Sequence, residues 1–358
     1  MDFHLQPLGD FHLQPCQPFV MAGPCSAETE EQVMAAARGV AACGVPVFRA
    51  GVWKPRTKPG GFEGIGEVGL RWLQRVKAET GLLVATEVAT AHHVQCALEA
   101  GIDMVWVGAR TTANPFAVQD VADALQGVDI PVFVKNPVNP DIELWIGALE
   151  RLHQAGVTRL GAIHRGFTTY QKIIYRNMPM WQIAIELMRR VPGLPILCDP
   201  SHMGGQRALV KQLCAQAMDL GFGGLMIECH PQPEKAWSDA LQQITPEELG
   251  TLLPLLHTKG QGNTSSELEK LRSEIDGLDE QLVALLGQRM AVCRAIANYK
   301  QSHAMAVVQP ERYNEMLQLR GQNGGNLGLD GDFMHQIFCI IHEESVRQQM
   351  ELIGKSQN

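Results

Sequence analysis

Residues 131–137 read PVFVKNP and residues 160–166 read LGAIHRG, two short apolar runs that each end in a basic residue. Six similar runs complete the pattern: FVMAG (19–23), VPVFRAG (45–51), LLVATEV (82–88), MVWVGAR (104–110), PILCDPS (195–201) and GLMIECHP (224–231). Stretches with helical periodicity separate them, and continuous apolar strands that alternate with helices are typical of a covered parallel sheet. Eight such units in about 240 residues predict an α/β fold, a (β/α)8 TIM barrel. A doubly wound open sheet is the alternative, but no glycine-rich dinucleotide turn follows the first run.

A change of hydrophobic period divides the chain. Residues 258–265 (TKGQGNTS) are small and polar, which predicts a linker between a barrel of residues 1–257 and a second domain of residues 266–358. Beyond it, seam residues recur at 3-4 spacing and predict one helix of roughly 35 residues. These are Leu268, Leu271, Ile275, Leu278, Leu282, Leu285, Arg289, Val292, Ile296 and Tyr299. Pro310 and Asp332 predict the starts of two more helices, so this is a small all-α three-helix domain.

Composition excludes several classes of protein. The 358 residues are 45% hydrophobic and 19% charged, which are globular values, and the net charge of −8 argues against a nucleic-acid partner. No apolar run approaches the ~20 residues of a membrane span, and no signal-peptide pattern opens the chain. Nine cysteines without paired spacing suit a reducing compartment. We therefore expect a cytoplasmic protein that does not bind membranes. The duplicated DFHLQP (2–7 and 10–15) predicts a surface hairpin or arm.

Basic residues follow the predicted strands at the end where a barrel builds its functional face. Six of them follow four strands: Arg49, Lys54, Arg56, Arg110, Lys135 and Arg165. Any one could be a solvated loop residue. Six at one rim of an acidic chain instead predict a site for phosphate and carboxylate groups, which arginine binds through forked hydrogen bonds.

A second set of polar residues follows strands 1, 7 and 8: Cys25, His202, Glu228 and Asp239. A thiolate, an imidazole and two carboxylates suit manganese, iron, cobalt or zinc better than magnesium. Taken singly, each also has a structural interpretation, for example a small core cysteine or an exposed helical aspartate. The spacing alone therefore leaves metal binding open.

Eight motifs resemble the 3-deoxy-D-arabino-heptulosonate 7-phosphate (DAHP) synthases, in the short-barrel type I-beta branch allied to the octulosonate 8-phosphate synthases. They are GPCS (23–26), FRAG (48–51), WKPRT (53–57), VGAR (107–110), VFVKNP (132–137), HRG (164–166), DPSH (199–202) and ECHPQPEKAWSD (228–239). The resemblance implies condensation of phosphoenolpyruvate with erythrose 4-phosphate. The octulosonate enzymes, which use arabinose 5-phosphate, usually have an alanine-asparagine pair after the lysine, so Pro55-Arg56-Thr57 disfavours that alternative.

The resemblance also implies the roles of residues. It places the metal ligands at Cys25, His202, Glu228 and Asp239, with Mn²⁺ expected and Fe²⁺, Co²⁺ or Zn²⁺ as alternatives. It places the phosphoenolpyruvate contacts at Arg49, Lys54, Arg110, Lys135 and Arg165. The phosphate of erythrose 4-phosphate falls on Arg56 and Thr57. Lys54 is our choice for the proton donor to the developing alkoxide, and a water on the metal is the alternative donor.

The helical domain resembles the all-helical chorismate mutases from LRSEIDGLDEQLVALLGQRM (271–290) to EESVRQQ (343–349). Their substrate-binding residues fall on Arg272, Arg289, Lys300, Arg312, Ser345 and Gln349, with Arg289, Lys300 and Gln349 as the catalytic group. Arg289 could otherwise be a polar residue that sets the register of a coiled coil. Arg272 and Lys300 stand 28 residues apart on one predicted helix, about 42 Å, so Arg272 would serve a partner's site. A homodimer follows, and a higher oligomer is left open.

The helical domain departs from the chorismate mutase pattern at two positions, and two further hypotheses concern its function. Gln309 and Tyr313 stand where the family commonly has acidic residues for the ring hydroxyl of chorismate, so we expect altered recognition of that hydroxyl. The domain could alternatively be a non-catalytic dimerisation and ligand-sensing module. We also hypothesise that chorismate or its product prephenate, bound to the helices, inhibits the barrel allosterically.

Overall fold

The computed structural model describes residues 3–9, 11, 16–54, 60–170, 174–259 and 266–355. The chain forms two compact units, Met1–Gly262 and Asn263–Asn358. The division falls within the predicted linker, of which residues 260–265 lie outside the described residues. The domain limits therefore stay a prediction.

The first unit is a closed parallel barrel, as the sequence predicts. Within the described residues, eight strands pair in chain order and β8 returns to β1. The strands are β1 (Phe19–Gly23), β2 (Val47–Arg49), β3 (Leu83–Val88), β4 (Met104–Val107), β5 (Val132–Lys135), β6 (Leu160–His164), β7 (Ile196–Cys198) and β8 (Gly224–Glu228). Because all pairs are parallel, the polar residues that follow the strands share one rim.

Helices connect the strands and cover the outside of the barrel. They are α1 (Glu30–Ala42), α2 (Glu67–Thr80), α3 (Ala91–Glu99), α4 (Ala109–Thr112), α5 (Pro115–Ala124), α6 (Ile142–Gln154), α7 (Trp181–Arg190), α8 (Pro200–Gly204), α9 (Val210–Asp219) and α10 (Pro246–Leu252). Thr29, Thr90, Asn114 and Asp141 cap four of them by accepting from backbone N–H groups. Thr245 and Glu248 form a capping box at the start of α10.

The barrel has two apolar layers. Its interior is filled by large side chains such as Met21, Trp106 and Phe133, while a larger cluster lies between the strands and the helices. The predicted hairpin or arm of residues 2–15 lies partly outside the described residues, but two described residues of this segment pack against the amino end of the barrel. Leu8 is buried there, and the Phe11 ring lies 4.4 Å from the ring of Phe19 at the start of β1.

The second unit consists of α11 (Ser266–Ser302), α12 (Pro310–Gly325) and α13 (Gly331–Lys355). The single long helix is confirmed at 37 residues. Asp330 rather than Asp332 accepts the backbone N–H of Phe333 at the start of α13, so that predicted cap was wrong by two residues. Among the described residues, no helix is both long enough and apolar enough to cross a membrane.

The seam of α11 is largely uncovered within one chain. Its nine apolar seam residues are each at least 40% exposed, from Leu268 at 40% to Leu278 at 62%. In α11 the buried positions are Cys293 and Ala297. A regular apolar stripe at this exposure costs free energy in water.

Candidate active sites

Four side chains that the sequence singles out as metal ligands converge at the carboxyl rim of the barrel. One donor atom from each of Cys25, His202, Glu228 and Asp239 lies within 4.8 Å of the others. Gly23, at the end of β1, allows close contact with the end of β2, because a Cβ there would stand 2.1 Å from the carbonyl oxygen of Arg49. The cluster is thus a preformed sulfur, nitrogen and oxygen donor set.

His202 is oriented by a residue that sequence analysis did not assign. Its Nδ1 lies 2.7 Å from Asp199 Oδ2, which leaves Nε2 facing Glu228 Oε1 at 3.6 Å. Burial alone would raise the pKa of Asp199, but His202 and Lys135 hold it well below its usual range. A carboxylate on the far nitrogen of a histidine is the usual device that fixes the ring of a metal ligand.

Lys54 lies against the cluster. Its Nζ donates to Cys25 Sγ at 2.6 Å and stands 3.8 Å from Asp239 Oδ2. Burial would lower the pKa of this ammonium, but its contact with Cys25 and the carboxylates of Glu228 and Asp239 raise it above its ordinary value. Lys54 is therefore protonated and positioned to give up a proton at the centre of the site.

The Cys25 thiol is a neutral group in this arrangement. Burial, followed by the Glu228 carboxylate, raises its pKa far above the ordinary value. Its Sγ donates to Asp239 Oδ2 at 3.1 Å. A metal that took Cys25 as a thiolate would therefore release a proton.

Asp239 adopts a strained backbone conformation, with φ at +51°. A left-handed residue other than glycine costs about 1 kcal/mol. Arg176 Nη1 donates to Asp239 Oδ1 at 2.9 Å and to Gln242 Oε1 at 2.7 Å. These hydrogen bonds hold the carboxylate toward the cluster. Arg176 lies in the loop after β6, and sequence analysis missed it because no apolar run marks its position.

The predicted anion contacts lie beside this cluster. The Arg49 guanidinium stands 4.8 Å from the centroid of Trp106, and Lys135 Nζ stands 5.8 Å from it. Arg49 also donates to Glu228 at 3.0 Å, yet its buried Nε has no hydrogen-bond partner among the described residues. An unpaired buried donor among cations is the arrangement expected where an anion binds.

Arg165 carries the strongest sign of an anion site. Its pKa is lowered to about 10, first because it is recessed from water and then because Arg176 and Arg110 add positive charge, although Asp199 acts in the opposite direction. Its backbone N–H donates to Asn136 Oδ1 at 2.7 Å. Arg110 lies on the exposed side of this group, in α4. Arg56 and Thr57 lie outside the described residues.

Two glutamines and one serine support the ligands, and no sequence pattern predicted these roles. Gln242 Nε2 donates to Glu228 Oε2 at 2.6 Å, and Gln243 Oε1 accepts the backbone N–H of Cys25 at 2.9 Å. Ser201 Oγ accepts the backbone N–H of Glu228 at 3.0 Å. These residues acquire their roles only when distant loops meet.

The helical unit contains a cavity of about 950 Å³ between its three helices. Five of the six predicted substrate residues line it: Arg289, Lys300, Arg312, Ser345 and Gln349. Arg289 Nη1 donates to Ser345 Oγ at 2.6 Å, and Lys300 Nζ donates to the carbonyl oxygen of Val307 at 2.6 Å. The buried Oε1 of Gln349 has no partner among the described residues. The cavity is thus cationic and contains a buried acceptor, Gln349 Oε1, that is available to a ligand.

Arg272 is the sixth, and it does not line this cavity. It is exposed on α11 and pairs with Glu269 at 3.1 Å. Tyr313, Arg320 and His342 also line the cavity. The sequence predicted no role for Arg320 or His342. Their signal was weak because neither interrupts an apolar pattern.

Comparisons with known proteins agree with this geometry. A model of the DAHP synthetase I family matches residues 15–262, and a model of chorismate mutase type II matches residues 271–350. A phospho-2-dehydro-3-deoxyheptonate aldolase of Thermotoga maritima is 35% identical over 66% of this chain and 68% of its own length. A 2-dehydro-3-deoxyphosphooctonate aldolase of Dechloromonas aromatica is 28% identical over 72% of this chain and 96% of its own length.

A solved structure gives the same result. The crystal structure of the Thermotoga maritima phospho-2-dehydro-3-deoxyheptonate aldolase (DAHP synthase) matches with a TM-score of 0.60 and 32% identity, over 72% of this chain and 69% of that chain. The fold and the rim define an aldol-type barrel transferase. The chain belongs to the DAHP synthetase I family and carries a C-terminal chorismate mutase type II domain. Two enzyme classes, a transferase and an isomerase, are therefore present in one chain.

Proposed function

We propose that the barrel binds phosphoenolpyruvate and erythrose 4-phosphate around a divalent metal held by Cys25, His202, Glu228 and Asp239. The observation that carries this proposal is the convergence of these four donor atoms within 4.8 Å, beside the protonated Lys54. The two carboxylates and the thiol would repel one another if all were ionised, and a cation between them relieves that repulsion. The mixed donor set favours Mn²⁺, with Fe²⁺, Co²⁺ and Zn²⁺ as alternatives.

When bound, such a metal supplies Lewis-acid polarisation of the sugar aldehyde. The residues of the chain do the remaining work. Arg49, Lys135 and Arg165 hold the carboxylate and phosphate of phosphoenolpyruvate, so that carbon 3 can attack the aldehyde in a fixed orientation. Lys54 Nζ gives its proton to the alkoxide oxygen that develops there. A water molecule then adds to the cationic carbon 2 and loses a proton. The C–O bond to phosphate breaks, so that carbon 2 becomes a ketone and inorganic phosphate is released. Arg110 lies on the exposed side of this group, and Arg56 and Thr57 are proposed for the phosphate of the sugar.

The barrel is expected to prefer erythrose 4-phosphate to arabinose 5-phosphate and to need its metal. Phosphate release from phosphoenolpyruvate should be at least about tenfold faster with the shorter sugar, and a chelator should abolish it, because polarisation of the aldehyde is then lost. Re-addition of Mn²⁺ is the control for chelator damage. Equal rates with both sugars, or full activity without metal, would contradict the proposal.

We propose that the helical domain rearranges chorismate to prephenate. This reaction needs no nucleophile or general base, so cations for two carboxylates and donors to the ether oxygen suffice. Arg289 and Arg312 supply forked cationic groups, while Lys300 and Gln349 are proposed as donors to the ether oxygen. The four cations around the cavity support this assignment. The competing interpretation is a ligand sensor, which would bind chorismate without turnover.

We also propose a homodimer formed along α11. Its exposed apolar stripe and the distance between Arg272 and the cavity of its own chain both support this arrangement. An antiparallel partner helix would cover the stripe and bring its own Arg272 to the cavity. Each site would then contain residues of two chains.

Feedback from the helices to the barrel is the final proposal. Prephenate or chorismate at micromolar to millimolar concentration is expected to lower the rate of heptulosonate synthesis, because ligand bound in the cavity would favour one arrangement of the two units. Initial rates of phosphoenolpyruvate consumption with and without each ligand measure the effect. Shikimate-like acids with a single carboxylate serve as the control, and rates unaffected by prephenate and chorismate would refute the proposal.

A further inference from the structure

The helical cavity offers cations in excess and few acceptors. Arg289, Lys300, Arg312 and Arg320 line it, and arginine and lysine side chains only donate hydrogen bonds. Among the described residues that line the cavity there is no carboxylate. This inference rests on the proposed mutase function, whose ligand is a cyclic dicarboxylate that also carries a ring hydroxyl. The cations of the cavity can pair with both carboxylates of such a ligand. Its hydroxyl proton needs an acceptor.

Most acceptors in the cavity are already engaged. Ser345 Oγ accepts from Arg289 and donates to the carbonyl oxygen of Ile341 at 2.7 Å. The carbonyl oxygen of Val307 accepts from Lys300. Tyr313 donates its hydroxyl to Cys339 Sγ at 3.3 Å. The acceptors that remain for a ligand hydroxyl are the hydroxyl oxygen of Tyr313, an amide oxygen such as Gln349 Oε1, and an imidazole nitrogen.

His342 provides that imidazole. It precedes Ser345 by three residues and Gln349 by seven on α13, so the three side chains share one face of the helix. Its ring stacks on Tyr313, with centroids 4.1 Å apart and planes 26° apart, which fixes the plane of the ring. No described residue forms a hydrogen bond with its ring nitrogens.

The charge state of His342 suits an acceptor. Burial lowers its pKa, and Arg289 on α11 and Lys300 near the end of the same helix lower it further, while Glu343 acts in the opposite direction. The ring is therefore neutral near pH 7 and keeps one nitrogen with a free lone pair. A protonated imidazole could only donate.

We propose that His342 accepts the hydrogen bond of the ring hydroxyl of the mutase ligand and so determines specificity for a hydroxylated ring. Tyr313 holds the imidazole in place by stacking. The carboxylates remain with the arginines, so recognition of the hydroxyl is separate from recognition of charge. Gln309, which lines the same cavity and makes no capping hydrogen bond with its side chain, is the competing acceptor.

The test pairs variants with ligands in the full-length protein. Wild type, His342→Leu, His342→Gln and Gln309→Leu are compared on chorismate and on an analogue that lacks the ring hydroxyl, by kcat/KM and by equilibrium Kd. Wild type should prefer chorismate by about tenfold or more, because a site built for a hydroxyl rejects a ligand without one. His342→Leu should lose that preference by weakening chorismate alone, and His342→Gln should restore part of it. His335→Leu, an exposed position on the same helix, is the matched control.

Each other outcome overturns the inference. Equal losses for both ligands in His342→Leu would indicate a structural role, and an intact preference in that variant would indicate no role. Loss of the preference only in Gln309→Leu would assign the hydroxyl to the amide. Failure of wild type to convert chorismate would refute the proposed mutase function but not the role of His342. That role is still tested by the ratio of the Kd of chorismate to the Kd of the analogue.

Discussion

Replacing Cys25 with alanine is expected to lower heptulosonate synthesis by about a thousandfold. The variant removes one of four ligands from a buried cluster, and the polarisation that a metal supplies is worth several kcal/mol, at about 1.4 kcal/mol for each factor of ten. Its remaining partners, Asp239 and Lys54, would pair with each other instead. Phosphate release and the metal content of the purified chain measure the two consequences.

The chain contains its own controls for this experiment. Cys16→Ala changes an exposed cysteine of the same unit and should leave both quantities unaltered. Chorismate turnover by the Cys25→Ala chain should equal that of wild type, since the helical cavity contains no residue of the barrel cluster. Full activity with one metal per chain in Cys25→Ala would show that the assignment of this cluster is wrong.

Arg289→Ala is expected to lower kcat/KM for chorismate by about thirtyfold or more while heptulosonate synthesis continues. Removing one partner of a recessed charge pair costs at least 2 kcal/mol, and here it also frees Ser345 from its hydrogen bond. Arg347→Ala is the charge-matched control because Arg347 is exposed on α13 and pairs with Glu344 and Glu351. Unchanged turnover in Arg289→Ala would contradict its role, and tight binding without turnover in wild type would favour the sensor interpretation.

Arg289→Ala, combined with Arg272→Ala, also tests whether two chains share each mutase site. Arg272→Ala alone should also inactivate the mutase if the residue serves the partner's cavity. Coexpression of Arg272→Ala with Arg289→Ala should then restore about a quarter of the wild-type activity, because half of the dimers are mixed and each has one intact site. No recovery in the mixture, together with full activity of Arg272→Ala, would show that Arg272 is not part of a shared site.

Local sequence was sufficient for the architecture. Eight short apolar runs separated by amphipathic stretches predict a parallel sheet that is covered on both faces. The eight strands of the barrel form at these runs. The cationic rim followed because the strands of a parallel barrel all end on the same side. The seam of α11 was equally visible, since a 3-4 repeat is a property of neighbouring residues.

The remaining features depend on contacts between residues that are far apart in the chain. Asp199 orients His202 and Lys135, Arg176 holds Asp239, and His342 stacks on Tyr313, yet none of these residues interrupts a periodic pattern. The error of two residues at the cap of α13 has the same origin, because two aspartates stand near the turn and only the backbone path selects Asp330.

The sequence by itself determined the barrel, the helical domain and the ligand types that gather at each site, because periodicity and the common direction of parallel strands are local consequences of residue order. Only the tertiary structure decided which groups support those ligands and in what charge state. Hydrogen bonds, burial and the pKa values that they shift depend on which loops meet in space. That is why Cys25 is a neutral thiol beside a protonated Lys54, a fact that spacing along the chain does not contain.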